Sequence, residues 1–303
     1  MIIGKVNAQQ DPQYSQYMFT QMAYNPGYAG INDMVSLTGD SRLQWTGFTG
    51  RPQTNTFTAD AAVKPFGIES GIGVLILNDN IGNGVQANIG LSAVYSYKMS
   101  LGAGKLGLGV KLGFVNSAFD GSKLQAAQTE SFASGQANKF DNGIGVFYKD
   151  DKIYFGMSVN HLVSNNWTYN SKGSSGSDGN AVTIIMVPNY YVTSGYTYQL
   201  PSNPLYEIVP SFIVEYGGVP QLSLNTNVVY NKKVWGGISY RANALTAMIG
   251  FELQNGLRIG YSYDYELSQI QSYSGGSHEI MINYNFKLNR EIIPQKYKSV
   301  RFL

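Results

Sequence analysis

Between residues 257 and 286 apolar and polar side chains change places at almost every step. Leu257, Ile259, Tyr261, Tyr263 and Tyr265 take one face of an extended chain; Arg258, Gly260, Ser262 and Asp264 take the other. Successive side chains of a strand point to opposite sides, so one face meets an apolar medium and the other meets polar groups. A polar connection over residues 268–277 follows, and then Ile280, Ile282, Tyr284 and Phe286 oppose Glu279, Met281, Asn283 and Asn285. Two aromatic-ended strands with a polar inner face read as neighbouring staves of a membrane β-barrel.

Most of the chain repeats this unit. Residues 35–45 and 54–63 form a first pair, with Phe57, Ala59, Ala61 and Val63 opposing Thr58, Asp60 and Ala62. Strands are expected at 70–77, 85–98, 106–116, 140–148 and 153–159, then at 190–200, 206–216, 222–230, 234–240 and 245–253. Residues 182–187 read as an extension of the strand near Tyr190 past a bulge at Pro188. The total is about fourteen strands of about ten residues, an even number of spanning length. The fold class is therefore all-β: a closed, antiparallel transmembrane β-barrel of the outer-membrane type.

Composition agrees. Charged residues make up 13%, against about 25% in soluble domains, while Gly (35) and Tyr (23) abound. A net charge of +2 argues against a nucleic-acid partner. The absence of cysteine excludes disulfides, thiolate metal sites and a Cys nucleophile. No stretch approaches the roughly 20 apolar residues of a spanning helix.

Connection length carries a second signal. Numbered from the first strand, the odd connections 118–139, 164–187 and 266–277 are long and polar. The even connections 149–152, 201–204, 231–233 and 254–256 are tight. Long loops outside and short turns in the periplasm is the outer-membrane pattern, and it puts both termini in the periplasm.

Four regions result. Residues 1–8 read as the remnant of a signal peptide, with the mature chain starting at Gln9 or Gln10. Residues 9–32, rich in Tyr, Gln and Asn, form a pre-barrel segment for the lumen or the periplasmic rim. Residues 33–286 are the barrel, and 287–303 are a basic periplasmic tail.

Chemical motifs are sparse. Gly102 to Gly107 spell G-x-G-x-x-G, but a strand follows where a dinucleotide site needs a helix, so the stretch is a glycine-rich turn. His161 and His278 stand without the spacing of a metal site. His278 with Ser262 and Asp264 can be drawn as a rim hydrolase, yet parity turns Ser262 and Asp264 inward with Glu279. No cofactor and no catalysis are expected.

The N-terminal residues Gln10 to Tyr17 and Ala23 to Gly30 resemble the start of mature PorP/SprF proteins. So do Gln44-Trp45, Pro52, Ser239-Tyr240-Arg241, Gly260 to Asp264 and Gly276 to Ile280. These are outer-membrane components of the type IX secretion system of Bacteroidota, and the resemblance runs from Gln10 to about Phe286. It implies a barrel that helps export or hold large secreted proteins such as gliding adhesins. It also implies contacts with a substrate's C-terminal domain or with periplasmic secretion-complex proteins, besides outer-membrane lipid.

The candidate lumen and partner contacts, by parity, are Asp60, Lys111, Glu252, Arg258, Asp264 and Glu279, with Arg258, Asp264 and Glu279 holding a lumenal segment or a partner tail. Tyr14, Tyr17, Asn25 and Pro26 are the candidate contacts of the pre-barrel segment. The rival readings are a passive porin or hydrophobic-solute transporter, a rim hydrolase, and a soluble adhesin sandwich.

Overall fold

The computed structural model describes residues 11–123, 134–163, 166–169, 182–185, 187–241 and 243–287. Fourteen antiparallel strands form its wall. They are β1 (Val35–Leu43), β2 (Gln53–Val63), β3 (Ser70–Ile81), β4 (Gln86–Leu101), β5 (Gly104–Asp120), β6 (Ser134–Lys149) and β7 (Ile153–Asn160). Then come β8 (Asn189–Tyr196, continued by Tyr198–Gln199), β9 (Tyr206–Tyr216), β10 (Pro220–Tyr230) and β11 (Val234–Arg241). The last three are β12 (Ala244–Glu252), β13 (Leu257–Glu266) and β14 (Ser277–Phe286). Each strand pairs with its sequence neighbours, and β1 pairs with β14 from Val35↔Phe286 to Leu43↔His278. That seam closes the sheet. Backbone groups have no water to bond at membrane depth, so closure is what leaves no unpaired edge there.

The side chains obey the two-residue period throughout. Along β4, Leu91, Ala93, Tyr95 and Tyr97 face outward, while Ser92, Val94, Ser96 and Lys98 are buried inside. Tyrosines cluster at strand ends as facing pairs: Tyr190 with Tyr216 at 6.3 Å, and Tyr206 with Tyr230 at 5.0 Å between ring centroids.

The short connections 64–69, 102–103, 150–152, 200–205, 231–233 and 253–256 share one rim with Val35 and Phe286, here the turn rim. The opposite, or loop, rim carries the long connections, but also the short ones at 82–85, 217–219 and 242–243. Length therefore segregates less cleanly than the sequence indicates.

Two expected boundaries shift. Residues 118–139 are not all loop, because β5 and β6 stay paired up to Asp120↔Ser134. Their outer halves are polar on both faces, as in Asn116 bonded to Asn138 at 2.6 Å, so alternation gives no sign of a strand there. Val182–Ile185 does not extend β8; it pairs with Asn166–Tyr169 in a separate two-stranded sheet. The expected signal remnant, residues 9 and 10 and the tail beyond residue 287 lie outside the described residues.

Residues 11–34 run inside this wall. A single helical turn, α1 (Gln21–Tyr24), and a 3-10 turn, Pro26–Tyr28, are linked by Asn25, whose side chain accepts from the Gly27 N–H at 2.9 Å. Tyr14, Tyr17, Met22, Tyr24, Ala29 and Ile31 are all buried.

Candidate functional site

The site is the lumen and the segment that fills it. The order of contacts gives the path. Asp11 bonds His161, just past the loop-rim end of β7. Ser15 bonds Asp264 and Glu279 near the loop-rim ends of β13 and β14. Tyr24 and Asn25 lie against β6 and β7. Gly27 meets β4, and Asn32 reaches Lys149 at the turn rim. The segment thus crosses the whole barrel, and Asp11 sits at the rim opposite Val35.

An ionic knot holds the upper half. Arg42 lies 2.5 Å from Asp264 and 2.9 Å from Glu279, and Arg241 lies 2.7 Å from Asp264; all four side chains are buried. The Glu279 carboxylate accepts from the backbone N–H groups of Ser15 and Gln16, both at 2.7 Å. The Ser15 hydroxyl donates to Asp264 at 2.8 Å and accepts from Arg42 at 2.7 Å. Buried charges are tolerated when paired and fully hydrogen-bonded, and here the plug's backbone supplies part of that bonding.

At the loop rim Asp11 is clasped by His161 at 2.6 Å and by the Tyr191 hydroxyl at 2.5 Å. His161 also reaches Asp141 at 2.7 Å, and Asp141 pairs with Lys111 at 3.1 Å. Burial alone would lower the His161 pKa, but the charge and hydrogen bond of Asp11, with Asp141, raise it to about 9. Burial would likewise raise the Asp11 pKa; His161 and Lys111 hold it well below the usual carboxylate range.

Hydrogen bonds outside these ion pairs carry the rest. Tyr14 bonds Thr56, and Tyr17 bonds Ser211 at 2.8 Å. Asn25 donates to the carbonyls of Val146 and Met157. Asp60 accepts from the Gly30 N–H at 2.7 Å, and Lys98 donates to the Gly27 carbonyl at 2.7 Å.

Glycine in the wall makes room for plug backbone. A Cβ on Gly109 would lie 2.2 Å from the Pro26 carbonyl carbon, and one on Gly71 would lie 1.8 Å from the Ala29 oxygen. Little space is left. The gap between Tyr14, Tyr24, Ile213 and Arg241 holds about 10 Å³, and that beside Asp11, Lys111 and Tyr191 about 50 Å³. The first is at the limit of one water and the second admits a few.

Of the residues singled out by parity, Asp60, Lys111, Asp264 and Glu279 are buried in the lumen against or beside the plug. Arg258 does not join Asp264 and Glu279. It lies at the turn rim, half-exposed, 2.5 Å from Glu252. Parity fixes which face a side chain takes but not its height along the barrel, and height separates them. Arg42 and Arg241 fill the role instead. Arg42 shares the polar face of β1 with Ser36, Thr38 and Asp40, so the same parity argument reaches it.

The rim-hydrolase arrangement is not built. His278 is on the outward face, bonded to the Tyr261 hydroxyl at 2.7 Å, while Asp264 is taken by two arginines and a threonine. Among the described residues no group of His, Asp and Glu has the geometry to hold a metal ion.

A search of curated proteins finds no match. Among solved structures, the CymD monoaromatic hydrocarbon channel is 10% identical with a TM-score of 0.48, covering 89% of this chain and 93% of that one. The Pseudomonas putida toluene transporter TodX is 12% identical at 0.47, covering 89% and 92%. The Acinetobacter baumannii outer membrane protein Omp33 is 7% identical at 0.44, covering 84% and 98%. These likenesses are too distant to bear on the lumen. The profile of one sequence family, described as type IX secretion system membrane protein PorP/SprF, matches residues 6–284. That span takes in the plug, the ionic knot and nearly the whole wall, and the chain belongs to the PorP/SprF family of type IX secretion system membrane proteins.

Proposed function

We propose that this outer-membrane barrel is an accessory of type IX protein secretion that binds a secreted protein's C-terminal domain, periplasmic components of the secretion complex, or both. In this reading the loop rim faces outward and the turn rim faces the periplasm. The single observation behind it is the filled lumen. A pore conducts through space that is continuous from rim to rim, whereas here residues 11–34 take that space and are tied to eleven of the fourteen strands or their ends by hydrogen bonds or ion pairs. A barrel with an occupied interior has its rims and loops left for work, and these bind partners from a rigid scaffold.

The passive porin or hydrophobic-solute transporter is the rival. The experiment is affinity purification of the tagged protein from native outer membranes, with mass spectrometry, beside conductance in planar bilayers. Recovery of a large secreted protein or of periplasmic secretion proteins, with a silent bilayer, is expected. Steady ion conductance by the intact chain, recovered alone, sinks the proposal.

A further inference from the structure

The connection between β2 and β3 is unlike the other turns on its rim. Residues 64–69 read Lys-Pro-Phe-Gly-Ile-Glu, and none of the other five short connections there holds an aromatic residue. Phe66 at its tip is fully exposed (102%), and Ile68 beside it is 48% exposed. An exposed apolar side chain alone means little, since much of any protein surface is apolar. Here the backbone opposes the placement as well. Phe66 holds φ 53° and ψ 28°, the left-handed region that Gly or Asn enters readily and a bulky residue does not. The other non-glycine residues held so at this rim, Asp33, Asn231 and Lys232, are polar.

The turn is braced. Pro65 fixes its own φ, and the N–H groups of Gly67 and Ile68 donate to the carbonyls of Lys64 and Pro65 at 3.3 and 3.0 Å. The Lys64 ammonium meets Glu69 at 2.8 Å across the base. A phenyl ring on so stiff a mount loses little freedom when it docks.

Lipid does not account for it. The outward ladder of β2 and β3 ends at Val63 and Ser70, level with Tyr97 of the tyrosine belt. Phe66 comes three residues beyond Val63, and its ring lacks the polar end that suits Tyr and Trp to a belt. Anionic headgroups need free cations, whereas Lys64 and Lys105, which line the hollow beside the turn, are paired with Glu69 and Asp33.

We infer that Phe66, with Ile68 at its side, is the anchor by which the turn rim docks into an apolar pocket on a periplasmic protein of the secretion complex. A few aromatic anchors seated in pockets carry most of the binding energy of many interfaces, and the self-paired charges beside this one make a neutral rim around it. The inference deepens the accessory reading and rests on it for the turn rim being periplasmic.

The test places benzoylphenylalanine, a photoreactive analogue of phenylalanine, at position 66 of the tagged full chain in its native cells. A control carries it at position 203, on another turn of the same rim. Irradiation is expected to join position 66, and not 203, to one of the periplasmic secretion proteins that co-purify with the parent. Phe66→Asn suits the left-handed backbone, so its urea midpoint is expected to equal or exceed the parent's while recovery of that protein falls about tenfold. A phospholipid adduct at position 66 in place of a protein overturns the inference, as does full recovery of the secretion proteins by Phe66→Asn. The cross-link keeps an aromatic ring at the tip, so it decides the matter even if Phe66→Asn does not assemble. A parent that recovers no periplasmic secretion protein removes the accessory reading. Equal recovery by the parent and by Phe66→Asn removes this anchor alone.

Discussion

Arg42 stands directly opposite Glu279 across the seam that joins the first strand to the last, with 2.9 Å between Nη1 and Oε2. The same two residues hold the plug at Ser15, so the closure of the wall and the filling of the lumen share one knot.

Arg42→Ala leaves Asp264 and Glu279 buried with one cation fewer, a change that costs about 3–5 kcal/mol when a buried pair is broken. The expected result is a lower urea midpoint for the heat-modifiable band on gels. Arg42→Lys recovers only part of it, since an ammonium cannot fork across two carboxylates. An unchanged midpoint for Arg42→Ala means the knot contributes nothing to stability.

Gly109→Val sets a branched side chain where the Pro26 backbone passes, since even a bare Cβ falls 2.2 Å from it. The wall itself keeps its ladder, so the barrel is expected to form with its plug dislodged. Chymotrypsin then cuts at Tyr14, Tyr17 or Phe19 in the variant while sparing the parent, and the variant conducts in bilayers. Equal protection of both proteins refutes the close fit.

The Asp11–His161 clasp has a defined pH window. The His161 pKa is raised from 6.5 to about 9, so its contribution is complete below 6.5 and is lost as pH rises through about 9. Asp11 is depressed from 3.8, so its contribution is present above 3.8 and fades as pH falls through the lower value. Hydrogen exchange at the amides of Gln13 and Tyr14 should be slow and flat from about pH 4 to 7, then quicken more than intrinsic chemistry predicts above about 9. His161→Gln removes the alkaline step; a step that survives it belongs to another group.

The chain lacks cysteine, so single thiols report orientation cleanly. Thr49→Cys at the loop rim is expected to react with an impermeant maleimide on whole cells, and Asn203→Cys at the turn rim only after lysis. The reverse pattern inverts the barrel.

The wall was legible because burial of one face in lipid and the other in a polar lumen imposes the period of two on β2, β4, β5, β13 and β14 alike. The lumen was legible only in part. Parity puts Asp264 and Glu279 on the inner face, but Arg258 takes that face too and ends at the turn rim beside Glu252. The plug's course follows from contacts between residues two hundred positions apart, such as Ser15 with Asp264, which no local pattern encodes. The sequence carries a trace of it all the same. Gly107 and Gly109 take inward positions on β5 where a lumen open to water has no need of glycine, and both are accounted for by the Pro26–Gly27 backbone lying against them.

A cord laid through a sleeve before the sleeve is sewn shut cannot be drawn in afterwards. Residues 11–34 precede β1 yet begin at the rim opposite its start, while the last stitch, β1 to β14, uses the final strand of the barrel. Assembly then has an order: the leading segment is gathered inside a curling sheet, and the seam shuts around it. A barrel refolded without residues 11–32 and later offered them as a free peptide is expected to stay empty, whereas the same peptide added before refolding is captured.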